Sequence, residues 1–570
     1  MWVLSATRFS ISLLITPLYN ITPDAQPHSH VAKCAELDVL FTNMAFFIWI
    51  FAAAIIAYFV YDSFRKSQYW PRKGIPTLTP IPLFGSLIDE VATGQGEFDL
   101  KWTKKLGRTF GYFDGPTPVL VTSDLDMLKN IMVKDFTHFA NRRDMGLNGP
   151  IIELALIELR DQHWKDMRGV LVPAFTSGKL KQMNSLIQEC CSDLLKNLET
   201  LATTGEEFAA KELFGRLTLD VIATAFFGTK INSQEEPNSG FVRNARKVFD
   251  FSRAYVPLLF AVLFPKLQPL MRRMGIQNID KAAVQFFVDN TEQIIRLRKE
   301  SKQTRRDFLQ MMLSSLKSDT HEKPAHRDTT TVVHNDTDAD VASSAMVLSG
   351  TQDKPLSHSN YKLSMLELAA QSTTFFLAGY ETTSTAITFM AYCMAVHPDI
   401  QERLRAEVQT VLAGKDVIEY DDLAAMHYMD QCVNETLRLY PPFSRTDRHC
   451  NEDWTYDGVE YKKGTVIGVP ILVVHRDPEY WPEPEVYNPE RFSKENKGNI
   501  KPYSFLAFGQ GPRNCIGMRF AYYEIKMVMA SILKKYRIVR SPKTQVPLVL
   551  KDDIVFMSTE RGVWLKVEKL

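Results

Sequence analysis

A short loop with a single cysteine constrains this chain more than any other feature. Residues 508–517 read Phe-Gly-Gln-Gly-Pro-Arg-Asn-Cys-Ile-Gly, and Cys515 stands just before residues 518–536, where apolar residues recur at helical spacing. A cysteine at a helix N-terminus lies near unpaired backbone N–H groups and the positive end of the helix dipole. Both effects favour thiolate over thiol, so we expect Cys515 to hold a soft or borderline metal.

The loop offers one cysteine, whereas zinc and iron–sulfur sites need about four protein ligands. One thiolate suffices where a porphyrin supplies the equatorial ligands; the alternative is a buried structural cysteine. The order of six residues resembles, position for position, the haem-binding signature of the cytochrome P-450 family: Phe508, Gly509, Gly511, Arg513, Cys515 and Gly517. The resemblance implies haem b (iron protoporphyrin IX) with Cys515 as its axial thiolate, and Phe508, Arg513 and Gly517 as further haem-binding residues.

Charge and cysteine content exclude some other classes of protein. Lys and Arg total 67 against 66 Asp and Glu, so nothing suggests a nucleic-acid partner. The 7 cysteines are scattered and odd in number, which predicts no disulfide framework and favours a reducing compartment that faces the cytosol.

An uncharged apolar stretch near the N-terminus predicts a membrane anchor. Residues 39–60 carry no charge, and about 20 apolar residues span a bilayer as a helix. Basic residues follow at Arg65, Lys66 and Arg72, so the positive-inside rule places the bulk of the chain in the cytosol. We expect a lumenal tail (1–38) with a glycosylation sequon at Asn20, an anchor (39–61) and a proline-rich spacer. Mitochondrial residence is a weaker alternative, since no Arg- and Ser-rich leader is present.

Several segments of residues 62–570 have readable local patterns. Residues 118–121, 123–126 and 127–133 predict a strand, a capping turn and a helix. The dipeptides at 457–458 and 463–464 predict hairpin turns. Residues 252–274 are unusually apolar, and residues 318–360 are rich in Ser, Thr, Asp and His, which predicts a disordered insert.

Two polar pairs gain meaning only from the resemblance. Trp164 and Arg168 lie at i, i+4 on one helix face, an arrangement that elsewhere is ordinary packing. The resemblance implies that they lie against the haem propionates together with Arg448 and Arg513. The segment at 175–180 is similar to the branch that contains broad-specificity drug-metabolising enzymes and thromboxane synthase, whose apolar lid over the substrate entrance corresponds to residues 252–274.

Ser364 and Glu367 fit a capping box, which predicts a long helix that ends before Pro398. Gly379 in its middle suggests a close approach, since glycine costs about 1 kcal/mol there relative to alanine. Glu381 and Thr382 match the family's acid–alcohol pair, and the resemblance implies that they are the catalytic residues that deliver protons to bound dioxygen.

Glu435 and Arg438 lie at i, i+3, a spacing common on exposed helices. The resemblance implies instead a buried triad with Arg491 that locks the scaffold around the haem loop. It also implies a substrate pocket lined by Leu377, Ala378, Phe443 and Ser444, with parts of residues 145–156.

The resemblance therefore predicts a mainly α cytochrome P-450 fold with a smaller β region, preceded by one transmembrane helix. The implied enzyme is a monooxygenase of lipophilic substrates in the endoplasmic reticulum membrane. Its expected partners are NADPH-cytochrome P-450 reductase, membrane lipid and, as an additional candidate, cytochrome b5. Two alternatives stay open: a thromboxane-synthase-like isomerase, which needs no acid–alcohol pair, and a non-catalytic haem-binding protein.

Overall fold

The structure is a computed structural model that describes residues 27–144, 146–250, 255–301, 307–313, 361–552 and 556–570. Side chains are described at residue 40 and from residue 42 onward. The predictions for the tail before residue 27, including Asn20, and for the insert near 318–360 lie outside the described residues. The same is true of Met145 at the edge of the expected pocket.

The described part of the chain is mainly helical. Its α-helices are, in chain order, α1 (Pro27–Tyr69), α2 (Leu87–Thr93), α3 (Gln95–Leu106), α4 (Leu125–Lys129), α5 (Asp161–Leu171), α6 (Ser177–Gln182), α7 (Asn184–Thr204), α8 (Ala210–Phe227), α9 (Gly240–Val248), α10 (Tyr255–Leu263), α11 (Gln268–Arg273), α12 (Lys281–Ser301), α13 (Phe308–Leu313), α14 (Met365–Val396), α15 (Pro398–Leu412), α16 (Tyr420–Ala425), α17 (His427–Leu439), α18 (Ile471–Arg476) and α19 (Met518–Leu533).

The strands form small sheets beside the helices. They are β1 (Thr109–Asp114), β2 (Thr117–Thr122), β3 (Phe208–Ala209), β4 (Thr446–His449), β5 (Trp454–Tyr456), β6 (Val459–Tyr461), β7 (Val466–Val469), β8 (Tyr536–Arg540), β9 (Leu550–Asp552), β10 (Met557–Thr559) and β11 (Trp564–Lys569). The largest sheet has the order β1-β2-β7-β4, and β2 and β7 are its parallel pair. The predicted fold class, mainly α with a smaller β region, is confirmed.

The N-terminal helix α1 extends past both predicted limits of the anchor. By length and composition, residues 42–73 can cross a membrane. The side chains of Phe47, Trp49 and Phe51 are 68–69% exposed, a continuous apolar surface that requires an apolar environment. Residues up to Phe64 form one unit and Arg65–Leu570 another.

The proline-rich segment after α1 is fixed at its start. Trp70 is fully buried, and its indole Nε1 donates to the carbonyl oxygen of Tyr112 at 3.1 Å. A 3₁₀ turn, Pro71–Lys73, follows. The prolines predict a stiff connection, and the packing of the Trp70 indole ring shows where the chain is held.

The local predictions around the large sheet are partly confirmed. The predicted strand and helix correspond to β2 and α4, and the Asp124 side chain caps α4 by accepting from the Met127 N–H at 2.8 Å. The turn at residues 457–458 joins β5 to β6 as an antiparallel hairpin. The second predicted hairpin, at 463–464, is wrong, because that turn leads from β6 into β7, which pairs with β2 and β4 instead.

Two buried helices position the site. The capping box of Ser364 and Glu367 opens α14 as predicted, and this helix runs to Val396 and packs against α8, α12 and α19. Helix α19 follows the cysteine loop but ends at Leu533, three residues before the predicted limit, because Tyr536 pairs with Lys569 of β11. The prediction of a single apolar face understates its burial, which includes Glu524 on the core side.

Candidate functional site

The cysteine loop is closed by its own backbone and held against a neighbouring segment. The N–H of Cys515 donates to the carbonyl oxygen of Phe508 at 2.8 Å. Gly509 and Gly511 have φ values of 69° and 72°, a left-handed conformation that side chains rarely adopt. A Cβ at Gly511 would lie 2.0 Å from the carbonyl oxygen of Met132, so only glycine permits this approach.

Cys515 combines exposed surface with a thiol on which burial is the largest electrostatic influence. Cys515 retains exposed surface, although protein surrounds it and the preceding Arg513 is buried. Burial raises the pKa of the Cys515 thiol, while the Gly517 N–H and the charges of Arg168 and Arg142 lower it. Burial is therefore the largest influence on this thiol, and the N–H group and the two arginines act in the direction that the sequence predicts, toward thiolate.

Phe508 and Gly517 lie on either side of Cys515 in the chain; Phe508 makes a ring contact, and Gly517 lies close to the sulfur. The ring of Phe508 packs on that of Tyr522, with their centroids 5.1 Å apart, and is half-buried. A Cβ at Gly517 would lie 4.0 Å from the Cys515 sulfur. Gly517 therefore lies directly beside the Cys515 sulfur.

Four arginines, Arg142, Arg168, Arg448 and Arg513, form what we call the arginine cluster. Burial and the charge of Arg142 lower the pKa of Arg168 to about 10 and that of Arg448 to about 9. Burial and repulsion from the other three lower the pKa of Arg513 to about 8. Arg142 and Arg168 both act on the Cys515 thiol, so the cluster and the sulfur lie near one another.

The arginine cluster is held by one aromatic ring and by main-chain oxygens. The guanidinium of Arg513 lies 4.3 Å from the ring centroid of Trp164 and donates to the carbonyl oxygens of Ala140 and Leu159 at 2.7 and 2.6 Å. The guanidinium of Arg168 lies 5.8 Å from the same ring. The structure thus brings Trp164, Arg168 and Arg513 together, as the resemblance implies.

These residues fit a dianionic group such as the two propionates of haem. The Nε of Arg448 is buried, and none of the described residues accepts a hydrogen bond from it. Its Nη1 donates to the Asp447 carbonyl oxygen at 2.7 Å. Crowded guanidinium groups with spare donors match carboxylates in geometry as well as charge. Together with a cysteine that retains exposed surface, this donor set suits an iron porphyrin.

The middle of α14 carries the predicted acid–alcohol pair. The hydroxyl of Thr382 donates to the carbonyl oxygen of Ala378 at 2.7 Å, one turn earlier. The carboxylate of Glu381 forms an ion pair of 2.7 Å with Lys211 of α8. Lys211 also donates to the carbonyl oxygen of Glu381 at 2.9 Å, so α8 holds this residue at two points.

The expected close approach at Gly379 is confirmed. A Cβ at this position would lie 2.3 Å from Cδ1 of Ile222, a fully buried residue of α8. Ala378, one residue earlier, retains exposed surface although its helix is otherwise largely buried. This part of α14 therefore has one side packed on α8 and another side that retains exposed surface.

The predicted triad forms, with Glu435 at its centre. Arg438 donates from Nε and Nη2 to the two carboxylate oxygens of Glu435 at 2.7 and 2.8 Å, and Arg491 Nε lies 3.4 Å from the same carboxylate. Both Glu435 and Arg438 are 0% exposed. His475 extends this network, since its Nε2 accepts from the Leu506 N–H at 2.7 Å, just before the cysteine loop.

Sequence reasoning missed three residues of the site. Arg142 belongs to the arginine cluster, and only its place after the buried Phe139 and Ala140 hints at this. His475 and Lys211 lie far along the chain from their partners and match no local pattern. Their roles depend on tertiary packing.

Comparisons with known proteins agree with this arrangement. A family model described as Cytochrome P-450 matches residues 75–567. Cytochrome P-450 3A2 of Rattus norvegicus is 37% identical over 521 residues, which cover 91% of this chain and 96% of that protein. Cytochrome P-450 3A11 of Mus musculus is 38% identical over 524 residues, and cytochrome P-450 3A6 of Oryctolagus cuniculus is 37% identical over 523; each match covers 91% of this chain and 96% of the relative.

Proposed function

Because the chain belongs to the cytochrome P-450 family, whose members are haem-thiolate monooxygenases, we propose that it inserts one atom of dioxygen into lipophilic substrates and reduces the other to water. One observation carries this proposal: Cys515 retains exposed surface, and its thiol lies within electrostatic reach of Arg142 and Arg168 of the arginine cluster. The same site has the acid–alcohol pair on a helix that packs against the helix following Cys515.

Haem b, when bound with an axial thiolate, supplies the activation of dioxygen, since electron donation from sulfur favours O–O cleavage. In our proposal Cys515 provides the thiolate, and Gly517 donates its N–H toward that sulfur. Trp164 and the arginine cluster bind and orient the propionates by charge-assisted hydrogen bonds. Phe508 and Tyr522 exclude water from the cysteine side.

Thr382 and Glu381 handle protons in this proposal. The Thr382 hydroxyl donates to the Ala378 carbonyl oxygen and lies on the exposed part of α14. There it acts as the proton donor. Glu381 is the acid that restores that proton, and Lys211 keeps its carboxylate in place between transfers. A positioned acid of this kind contributes typically about 10²–10⁴-fold to a rate.

Substrates are lipophilic because both the anchor and the pocket favour them. Leu377 and Phe443 are apolar residues at the expected pocket, and the Phe443 ring packs on Phe556 with centroids 4.9 Å apart. The apolar helix α1 supports association with a membrane. We propose the endoplasmic reticulum, a single span, a cytosolic catalytic domain, and electrons from NADPH-cytochrome P-450 reductase with cytochrome b5 as a second donor.

The acid–alcohol pair separates this function from its alternatives. A thromboxane-synthase-like isomerase and a non-catalytic haem-binding protein have no use for Glu381 and Thr382, which are both present. The test is a reconstituted assay with reductase, lipid and a panel of lipophilic compounds. We expect NADPH-dependent oxygenated products; turnover that is independent of NADPH would favour the isomerase, and haem binding without turnover would favour the non-catalytic protein.

A further inference from the structure

The acid of the acid–alcohol pair is tied to one lysine. The ammonium of Lys211 lies 2.7 Å from the Glu381 carboxylate and donates to the hydroxyl oxygens of Ser384 and Thr385 at 2.8 and 2.6 Å. Proton transfer between a general acid and its acceptor needs a separation of about 2.6–3.2 Å. Lys211 is therefore placed to give a proton to Glu381 as well as to hold it.

Lys211 also lines a cavity of about 140 Å³ between α8, α9 and α14. The other polar side chains in the cavity wall are Glu212, Arg216, Arg246 and Tyr380. Glu212 and Arg246 are exposed residues, so the cavity borders solvent. Its volume has room for several water molecules, since each occupies about 30 Å³ in the liquid. Lys211 thus contacts Glu381 on one side and a space that water can enter on the other.

The ammonium of Lys211 is easier to deprotonate than that of an ordinary lysine. Although 36% of the side chain is exposed, burial lowers the pKa of Lys211, and the ion pair with Glu381 opposes this effect only in part. Glu381 is the carboxylate that acts on Lys211, whereas Glu212 and Asp220 act on Arg216. Buried lysines shift their pKa readily, which suits them to proton transfer.

The other donors in the cavity wall are poorer proton carriers. Arg216 and Arg246 keep their protons, because a guanidinium cannot be deprotonated in proteins. Burial, and then the charge of Glu381, raise the pKa of the Tyr380 hydroxyl to about 12, so it releases no proton near neutral pH. Among these donors, Lys211 is the one that both contacts the Glu381 carboxylate and can give up a proton.

We propose that Lys211 is a proton relay that connects solvent in this cavity with Glu381. Its ammonium transfers a proton to the Glu381 carboxylate: an N–H bond breaks, an O–H bond forms, and the electron pair stays on Nζ. The neutral amine then takes a proton from water in the cavity, and bulk solvent restores that proton. This relay rests on the proposed monooxygenase function and extends it, since each turnover consumes protons that Glu381 must regain.

The first test needs no turnover. Lysine labelled with ¹³C at Cε is incorporated into the haem-loaded full-length protein, and its diamagnetic, reduced carbon-monoxide form is titrated by NMR in a non-ionic detergent. The signal that is absent from both Lys211→Arg and Lys211→Gln belongs to Lys211. We expect it to titrate below the ordinary lysine value of 10.5 and below Lys196, whose hydrogen bond to Asp193 raises its pKa. A Lys211 midpoint at or above that of Lys196 would overturn the proposal.

The second test compares Lys211→Arg with the parent protein in the reconstituted assay. Arginine keeps the positive charge and the donors toward Glu381 but cannot release a proton. We expect product per NADPH consumed to fall about tenfold and the solvent deuterium isotope effect on turnover to rise at least about twofold. Haem content and circular dichroism verify that the variant is folded. Lys196→Arg is the matched control, because Lys196 is 70% exposed on α7, and it leaves both quantities unchanged.

Full rescue by arginine would contradict the relay. If Lys211→Arg forms product as efficiently as the parent protein and shows the same isotope effect, Lys211 only holds Glu381 in place. If the parent protein itself forms no NADPH-dependent product, the proposed function fails and the relay fails with it. That result differs plainly from a productive parent protein that arginine at position 211 leaves unchanged.

Discussion

Replacing Arg438 by lysine should prevent stable haem incorporation, although the charge is retained. Arg438 uses its planar fork fully: two donors bind Glu435 at 2.7 and 2.8 Å, and Nη1 donates to the carbonyl oxygens of His475 and Pro484, both at 2.8 Å. A further donor reaches the Val486 oxygen at 3.3 Å. A lysine ammonium has three donors on one nitrogen and cannot occupy these positions together.

The expected loss follows from the groups left unpaired. With lysine at 438, at least two of the five acceptors lose their donor, and each acceptor that stays buried and unsatisfied costs about 1–3 kcal/mol. The total, roughly 2–6 kcal/mol, is a large part of the 5–15 kcal/mol that typically stabilises a domain. This loss of stability is local to the contact between Arg438 and His475. The His475 ring accepts a hydrogen bond from the Leu506 N–H, just before the cysteine loop. The cysteine loop is therefore the first part of the structure to lose its support.

The assay compares haem content and urea unfolding of the purified variant with those of the parent protein. Arg403→Lys is the matched control, because Arg403 is 59% exposed and its ion pair with Glu490 lies at the surface. That control should cost at most about 1 kcal/mol and retain haem. If Arg438→Lys incorporates a full complement of haem and unfolds at the same urea concentration as the parent protein, the planar guanidinium of Arg438 is not required for haem binding.

Four further outcomes follow from the site. Cys515→Ser should abolish the red-shifted band of the reduced, carbon-monoxide-treated protein; an unchanged band would exclude this sulfur as the ligand. Thr382→Ala should lower product per NADPH consumed about tenfold with haem content unchanged, and unaltered coupling would contradict a proton role. Burial, and then the charge of Arg438, lower the pKa of His475 to about 3 from 6.5, so the unfolded state takes up a proton that the folded state excludes, and stability should fall by about 1.4 kcal/mol per pH unit below pH 6.5. His475→Gln should be less stable at pH 7.5 but lose that slope, as urea unfolding at pH 7.5 and pH 5.5 can measure; an identical slope would contradict the pKa. Replacing Leu259 and Phe260 together by serine should weaken vesicle binding of a form that lacks the anchor, and undiminished sedimentation with vesicles would rule out a membrane contact at α10.

The cysteine loop and α14 illustrate how far sequence reasoning extends. The positions of Cys515 and of the capping box at Ser364 follow from local patterns, because helix caps and tight glycine turns depend on neighbours in the chain. The pairing of Glu435 with Arg438 is also local. The same reasoning erred at residues 463–464, where a turn signal was present but the strand after it found partners elsewhere in the chain.

The sequence by itself determined the family, the cysteine loop, the apolar N-terminal helix and the helical scaffold. Each of these depends on contiguous residues or on residues a few positions apart. Tertiary structure alone decided the ionisation balance at Cys515, the membership of Arg142 in the arginine cluster and the partnership of Lys211 with Glu381. The physical reason is that burial and charge repulsion depend on which distant segments meet in space. Desolvation of a thiol or a guanidinium cannot be read from its neighbours in the chain.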